Sequence, residues 1–197
     1  MIIYDCEIIK AVPQRNEERL SDIEYCDGWD DVENMGISVI CAYDYETERY
    51  RTFLEDNSKE FQALVDDADL VIGFNSLKFD NTLCRAHGLS VPDEKSYDLL
   101  VEIWKGAGLG PKFEYPSHVG FGLDVCSKAN FGTEKTHHGA LAPVDWQRGN
   151  YGVVIDYCLN DVKLTKDLID RVIERGCIHD PRNAEDIIEV VSPIDKL

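Results

Sequence analysis

Two acids set into an apolar strand are the first residues of this chain whose type and spacing could do chemistry. The run Ile2-Ile3-Tyr4-Asp5-Cys6-Glu7-Ile8-Ile9 consists of β-formers, with apolar residues on both sides of the strand. Side chains alternate along a strand, so Asp5 and Glu7 share one face. Carboxylates held side by side in apolar surroundings repel each other and are costly unless positive charge lies between them. An all-oxygen ligand set favours a hard divalent cation, Mg2+ or Mn2+. Other acid-x-acid pairs, Asp22/Glu24, Glu46/Glu48 and Asp67/Asp69, lie in polar stretches and read as solvated surface. Two more segments carry acids in apolar context: Asn75-Ser76-Leu77-Lys78-Phe79-Asp80 and Tyr157-Cys158-Leu159-Asn160-Asp161. In a helix, Tyr157 and Asp161 fall on one face, roughly 5–6 Å apart at Cβ. Taken alone, that pair reads as a hydrogen-bonded couple on an amphipathic helix.

The elements that must position these acids follow from the patterning. Residues 35–43 read as a second strand, 46–48 as a turn and 49–53 as a third strand, giving an antiparallel meander. Asn57 or Ser58 is placed to cap a helix running to about Asp67, with Phe61, Leu64 and Val65 on one face. Residues 69–74 form a buried fourth strand, parallel to the first after a helical crossover. Asn75 to Asp80 then lies just past the carboxyl end of a strand, where open α/β sheets keep their ligands. Further helices are expected over about 81–87, 123–130 and 150–175, the last two stopped by Gly132 and Gly176. In the longest of these, Val154, Tyr157, Cys158, Val162, Leu164, Leu168, Ile169 and Val172 recur at helical spacing, so its Tyr157/Asp161 face looks inward. Residues 96–100 read as a short strand or the start of a helix, and 106–122, rich in Gly and Pro, as irregular. Asp98, in an apolar patch, reads as a cap or secondary support. The polar stretch 14–34 reads as an insertion docked by Tyr25 and Trp29, and the acidic tail as adding one short strand over 187–191. The expected organisation is one domain over 1–176, with an insertion at about 14–34, and a tail over 177–197.

In this order, the three acid-bearing segments resemble the motifs of the DnaQ-like 3′→5′ exonucleases, tyrosine (DEDDy) branch, in the ribonuclease H-like superfamily. Asp5-Cys6-Glu7 matches D-x-E, Asn75 to Asp80 matches N-x-x-x-F-D, and Tyr157 to Asp161 matches Y-x-x-x-D. The resemblance spans residues 1 to about 175, and no motif acid is missing. It implies an α/β fold with a ribonuclease H-like mixed sheet: an antiparallel three-strand lead-in, then parallel strands, flanked by helices. It also implies two divalent ions, Mg2+ or Mn2+, roughly 3.5–4 Å apart, held by Asp5, Glu7, Asp80 and Asp161, with Asp5 able to bridge them. Tyr157 would orient the attacking water, since a phenol with an ordinary pKa of about 10 is a poor base at neutral pH. Asn75 and Phe79 would contact the terminal nucleotide. The implied activity is metal-dependent hydrolysis at nucleic-acid 3′ ends, single-stranded DNA first and RNA second. The insertion and the irregular 106–122 stretch leave substrate specificity open.

Composition bounds the alternatives. Hydrophobic residues make up 44% of the 197, enough for a packed core. Seven cysteines stand singly with no C-x-x-C, which reads as reduced buried thiols in an intracellular, cytoplasmic protein, and neither a secretory signal nor a membrane span is visible. The formal net charge of −18 repels phosphate backbones, so a nucleic-acid ligand needs a local site, with bound cations supplying part of its charge. That charge also suits a basic protein partner. It favours a second reading, a catalytically silent ribonuclease H-like binding or assembly subunit, which the complete acid set opposes. An endonuclease of the same superfamily is opposed by the tyrosine motif. Lys135, His137 and His138 could touch phosphate, although adjacent histidines with no matching ligand are a poor zinc signal and read as surface loop.

Overall fold

The computed structural model describes residues 1–15, 18–133 and 139–197. Its centre is β1 (Ile2–Ile8), a strand covered on both faces. Ile2, Tyr4, Cys6 and Ile8 enter one buried cluster, and Ile3 enters the other on the face that carries Asp5 and Glu7. The inserted segment holds a single helical turn, α1 (Val32–Met35). It is followed by β2 (Ile37–Asp44), antiparallel to β1 with Asp5 opposite Cys41 and Glu7 opposite Val39. Then comes β3 (Arg49–Phe53), antiparallel to β2. The turn between them is held by Asp44, whose carboxylate accepts from the Glu46 N–H at 2.9 Å and the Thr47 hydroxyl at 2.7 Å.

The helix α2 (Ser58–Asp67) crosses one face of the sheet and leads into β4 (Val71–Gly73), which pairs parallel with β1. After α3 (Asp80–Ala86), β5 (Ser96–Asp98) pairs parallel with β4, and α4 (Leu99–Gly106) follows at once. The chain continues through α5 (Leu123–Phe131), α6 (Ala142–Gln147) and α7 (Tyr151–Arg175). It closes with a hairpin of β6 (Cys177–Asp180) and β7 (Asn183–Glu189). The main sheet has the order β3-β2-β1-β4-β5, antiparallel on one side of β1 and parallel on the other. This is the mixed α/β sheet, flanked by helices, that the sequence implied, and it is compatible with a ribonuclease H-like fold.

Two apolar layers hold the sheet. Phe61 and Val65 of α2 and Leu83 and Cys84 of α3 pack with Tyr4, Ile40 and Phe53 on one face. On the other, α7 lays Val154, Cys158, Val162 and Leu168, all fully buried, against Ile3, Val39 and Cys41. Each fully buried aliphatic side chain contributes about 1.5–3 kcal/mol, so this stripe is what fixes the long helix on the sheet. Gly176 ends α7 in the left-handed conformation at φ +68°, where a Cβ would be strained.

Four local expectations need correction or completion. Neither Asn57 nor Ser58 caps α2 through its side chain; the Asn57 side-chain Oδ1 instead accepts from the Leu54 N–H at 2.6 Å and ties the preceding turn. The insertion is docked by Ile23, Cys26 and Met35, which are buried, whereas Trp29 is 59% exposed. The segment before α7, left without a helix in the sequence reading, forms α6, with Pro143 in its first turn. The short strand expected over 187–191 is observed at Asn183–Glu189, as the second arm of a hairpin whose Ile178 and Ile188 join the core cluster that includes α7. The loop of Lys135, His137 and His138 lies outside the described residues. Among the described residues, no helix is long and apolar enough to cross a membrane.

Candidate metal centre

The acids meet where α7 crosses β1. The Cys158 thiol donates to the Asp5 carbonyl at 3.4 Å, seating the helix on the strand. That contact brings the next turn, with Asp161, over the β1 face that carries Asp5 and Glu7. Asp161 is 5% exposed and Tyr157 6%, so the face does look inward. Single oxygens of Asp5, Glu7 and Asp161 all lie within 4.8 Å of one another. A triangle with 4.8 Å sides has its centre about 2.8 Å from each corner (4.8/√3). Less than about 1 Å of closure therefore reaches the 2.0–2.6 Å range of hard divalent cations. Three oxygen donors held this close could hold a hard divalent cation.

The second acidic segment is wound tightly past the end of β4. Gly73 is needed there because a Cβ would fall 2.4 Å from that of Ser76. Asn75 takes a positive φ of 63°, a conformation asparagine tolerates better than most residues. One carboxylate holds the start of the turn, and backbone bonds from Phe79 to Asn75 and from Asn81 to Ser76 hold the rest. Asp98, 2% exposed, accepts from the N–H groups of Asn75 (2.9 Å) and Leu77 (3.0 Å). It also caps α4, accepting from Leu100 (3.0 Å) and Val101 (3.4 Å). Burial pushes its carboxyl above the ordinary range, and the four N–H donors oppose that rise. The apolar patch around Asp98 marked it as a cap in the sequence. Its grip on the Asn75 turn had no sequence signal, because the contact joins residues on neighbouring strand ends.

Asp80 opens α3 and faces the same cleft as Asp5 and Glu7, but it stands outside the group of three. One of its oxygens accepts from the Cys6 N–H at 3.0 Å, tying the second segment to the first. Burial drives its carboxyl well above the usual carboxylate range, and the neighbouring Cys84 adds to this, while the Cys6 N–H pulls the other way.

The acids stand between two cavities. One, of about 180 Å³, is lined by Asp5, Glu7, Asp80, Phe79 and Trp29. The other, of about 570 Å³, is lined by Asp5, Asp161, Lys78, Trp104 and Phe113. Asn75 borders both. Gly139 also borders the smaller one, and a Cβ there would stand 2.7 Å from the Tyr157 hydroxyl. The backbone at Gly139 therefore passes close to the Tyr157 hydroxyl. A third cavity, of about 320 Å³, opens beside Ser38, Phe53 and His87 on the other face of the sheet and holds none of the clustered acids.

The structure thus gathers Asp5, Glu7 and Asp161 at one point, sets Asp80, Asn75 and Phe79 in the adjoining cleft, and aligns Tyr157 one helical turn before Asp161. Trp29, at the mouth of that cleft, was read from the sequence only as a docking residue. An aromatic in a polar run with no apolar neighbour was the available signal. No family model and no curated protein matches the chain. Among solved structures, it is similar to the family B DNA polymerase of the hyperthermophilic archaeon Pyrobaculum calidifontis, with a TM-score of 0.58 at 16% identity over 87% of this chain. The chain spans about a quarter (24%) of that polymerase, and the likeness is one of fold.

Proposed function

We propose that this chain is a metal-dependent 3′→5′ exonuclease, hydrolysing phosphodiester bonds at the 3′ ends of single-stranded DNA, with RNA as the second choice. The observation that carries the reading is the convergence of Asp5, Glu7 and Asp161 within 4.8 Å, with Asp80 facing the same cleft. The motif resemblance to DnaQ-like exonucleases and the fold shared with a DNA polymerase support it.

Asp5, Glu7, Asp80 and Asp161 would hold two divalent ions, Mg2+ or Mn2+. When bound, the ions supply the positive charge that makes water acidic near neutral pH and offsets charge building on the phosphate. The chain's own residues do the rest. Asp5 borders both cavities, so a strand end bound in either would lie beside it. The Tyr157 hydroxyl, held against the Gly139 backbone, donates to and orients the attacking water. Asn75 hydrogen-bonds the terminal nucleotide and Phe79 packs on it. Asp98 is a positioning residue, since it fixes the turn that presents Asn75. The test is a 5′-labelled linear strand beside the same strand circularised, in Mn2+. Progressive shortening of the linear form with the circle intact is the expected result, and opening of the circle would assign an endonuclease instead.

The net charge of −18 favours one other reading, a binding or assembly subunit of the same fold. The two separate on Asp5→Asn: binding without chemistry survives that substitution, whereas hydrolysis is lost.

A further inference from the structure

We propose that Trp29 is a base-stacking residue supplied by the inserted segment, taking the unpaired terminal base of the substrate beside Phe79. The inference rests on the exonuclease reading and adds to it a residue from outside the three acidic motifs.

Four observations converge on Trp29. Its indole is 59% exposed although it is large and apolar. It lines the 180 Å³ cavity together with Asp5, Glu7 and Asp80. Its ring meets that of Phe79 edge to face, with centroids 5.8 Å apart. And the segment that carries it is fixed in place. Ala11 ties the segment to the end of the first strand through an isolated bridge, its N–H donating to the Glu24 carbonyl and its carbonyl accepting from the Cys26 N–H. The Gln147 amide of α6 donates to the Ile9 and Glu24 carbonyls and accepts from the Glu24 N–H. Next to Trp29, the Asp31 carboxylate accepts from the Asp27 N–H at 2.9 Å and the Asn34 amide at 2.6 Å. An exposed ring on a pre-ordered loop binds without the cost of ordering that loop.

The charge balance explains why such a ring is needed. At −18, the protein repels a phosphate backbone, so the counterion release that usually drives nucleic-acid binding is weak here. Stacking on an aromatic face is independent of that field and tolerates any base, because every base has a π-face. A base that is still paired cannot leave its partner to enter beside Trp29 and Phe79 without the cost of unpairing. Trp29 therefore selects for a frayed or single-stranded end and is indifferent to base identity.

The experiment compares an oligothymidylate ending in thymidine with one ending in an abasic nucleotide, binding being measured by fluorescence anisotropy in Mn2+ on the Asp161→Asn protein, so that strands are not consumed. The expected preference for the base-bearing end is about 5- to 150-fold. Adding Trp29→Ala brings that ratio toward one, and Trp29→Phe restores most of it; a purely structural role for Trp29 would weaken both strands alike and leave the ratio in place. A ratio unchanged by Trp29→Ala overturns the proposal, and so does an absence of binding to either strand. Cleavage by the wild-type protein, assayed separately, reports on the exonuclease reading itself. Failure there with the ratio still dependent on Trp29 leaves this inference standing as base recognition by a non-hydrolytic protein.

Discussion

Replacing Asp161 by asparagine keeps the volume of a side chain that is 5% exposed and removes one of three clustered charges. At an effective dielectric of about 20, two full charges within 4.8 Å repel by roughly 3.5 kcal/mol or more, and a cation placed among the three acids offsets that repulsion. A divalent ion bound there stabilises the fold by mass action. At a concentration of 100 Kd that amounts to about 2.7 kcal/mol. At about 2–4 °C per kcal/mol for a domain of this size, the melting temperature rises by about 5–11 °C. Loss of an outer partner of a metal ligand costs about 10- to 100-fold in affinity, and loss of a ligand costs at least the upper figure. At the same Mn2+ concentration, Asp161→Asn then gains only about 0.4 kcal/mol, a rise below about 2 °C. The assay is differential scanning calorimetry in EDTA and across a Mn2+ titration. Asp67→Asn, which removes an exposed acid of α2, serves as the control and should shift like the wild type. Equal Mn2+ shifts in the wild type and Asp161→Asn would refute the assignment of Asp161 as a ligand.

Other outcomes follow from single contacts. Tyr157→Phe should slow cleavage by about 10- to 100-fold and leave the Mn2+-dependent melting shift intact; an unchanged rate would refute its role in orienting water. Asp98→Asn turns one acceptor oxygen of a buried carboxylate into a donor facing backbone N–H groups, so stability should fall by about 2–4 kcal/mol in urea titrations, with the variant's activity falling further than its folded fraction accounts for. Asp180 pairs with Arg182 at 3.0 Å, and that hydrogen bond holds its carboxyl below the ordinary value. Its contribution is present above the unfolded carboxylate pKa of about 4 and is lost as pH falls through the lower folded value. Asp180→Asn should therefore cost about 1 kcal/mol at pH 7 and next to nothing near pH 2, as read from melting temperatures.

What was legible in the sequence follows from where signals are local. The first strand announced itself because its acids interrupt an apolar run, and α7 because its apolar stripe repeats over about five turns. Their crossing, which makes the site, is a long-range contact, and only the resemblance carried by the three motifs anticipated it. The hairpin was read as a single strand because it has almost no pattern to read: β7 buries only Ile188, and pairing with β6 is made by backbone. Its seat is instead a close approach, since a Cβ on Gly106 would stand 2.0 Å from the Glu189 carbonyl oxygen. Trp29 was read only as a docking residue; its polar surroundings hinted at exposure, but its contact with Phe79 is long-range and has no local signal.

The most direct test of the central claim is digestion of 5′-labelled single-stranded DNA and RNA in Mg2+ or Mn2+, wild type beside Asp161→Asn. The account predicts a ladder that shortens from the 3′ end with the wild type, strongest on DNA, and no ladder with the variant or in EDTA. A ladder of equal intensity from both proteins, or none from a folded and Mn2+-stabilised wild type, would contradict it.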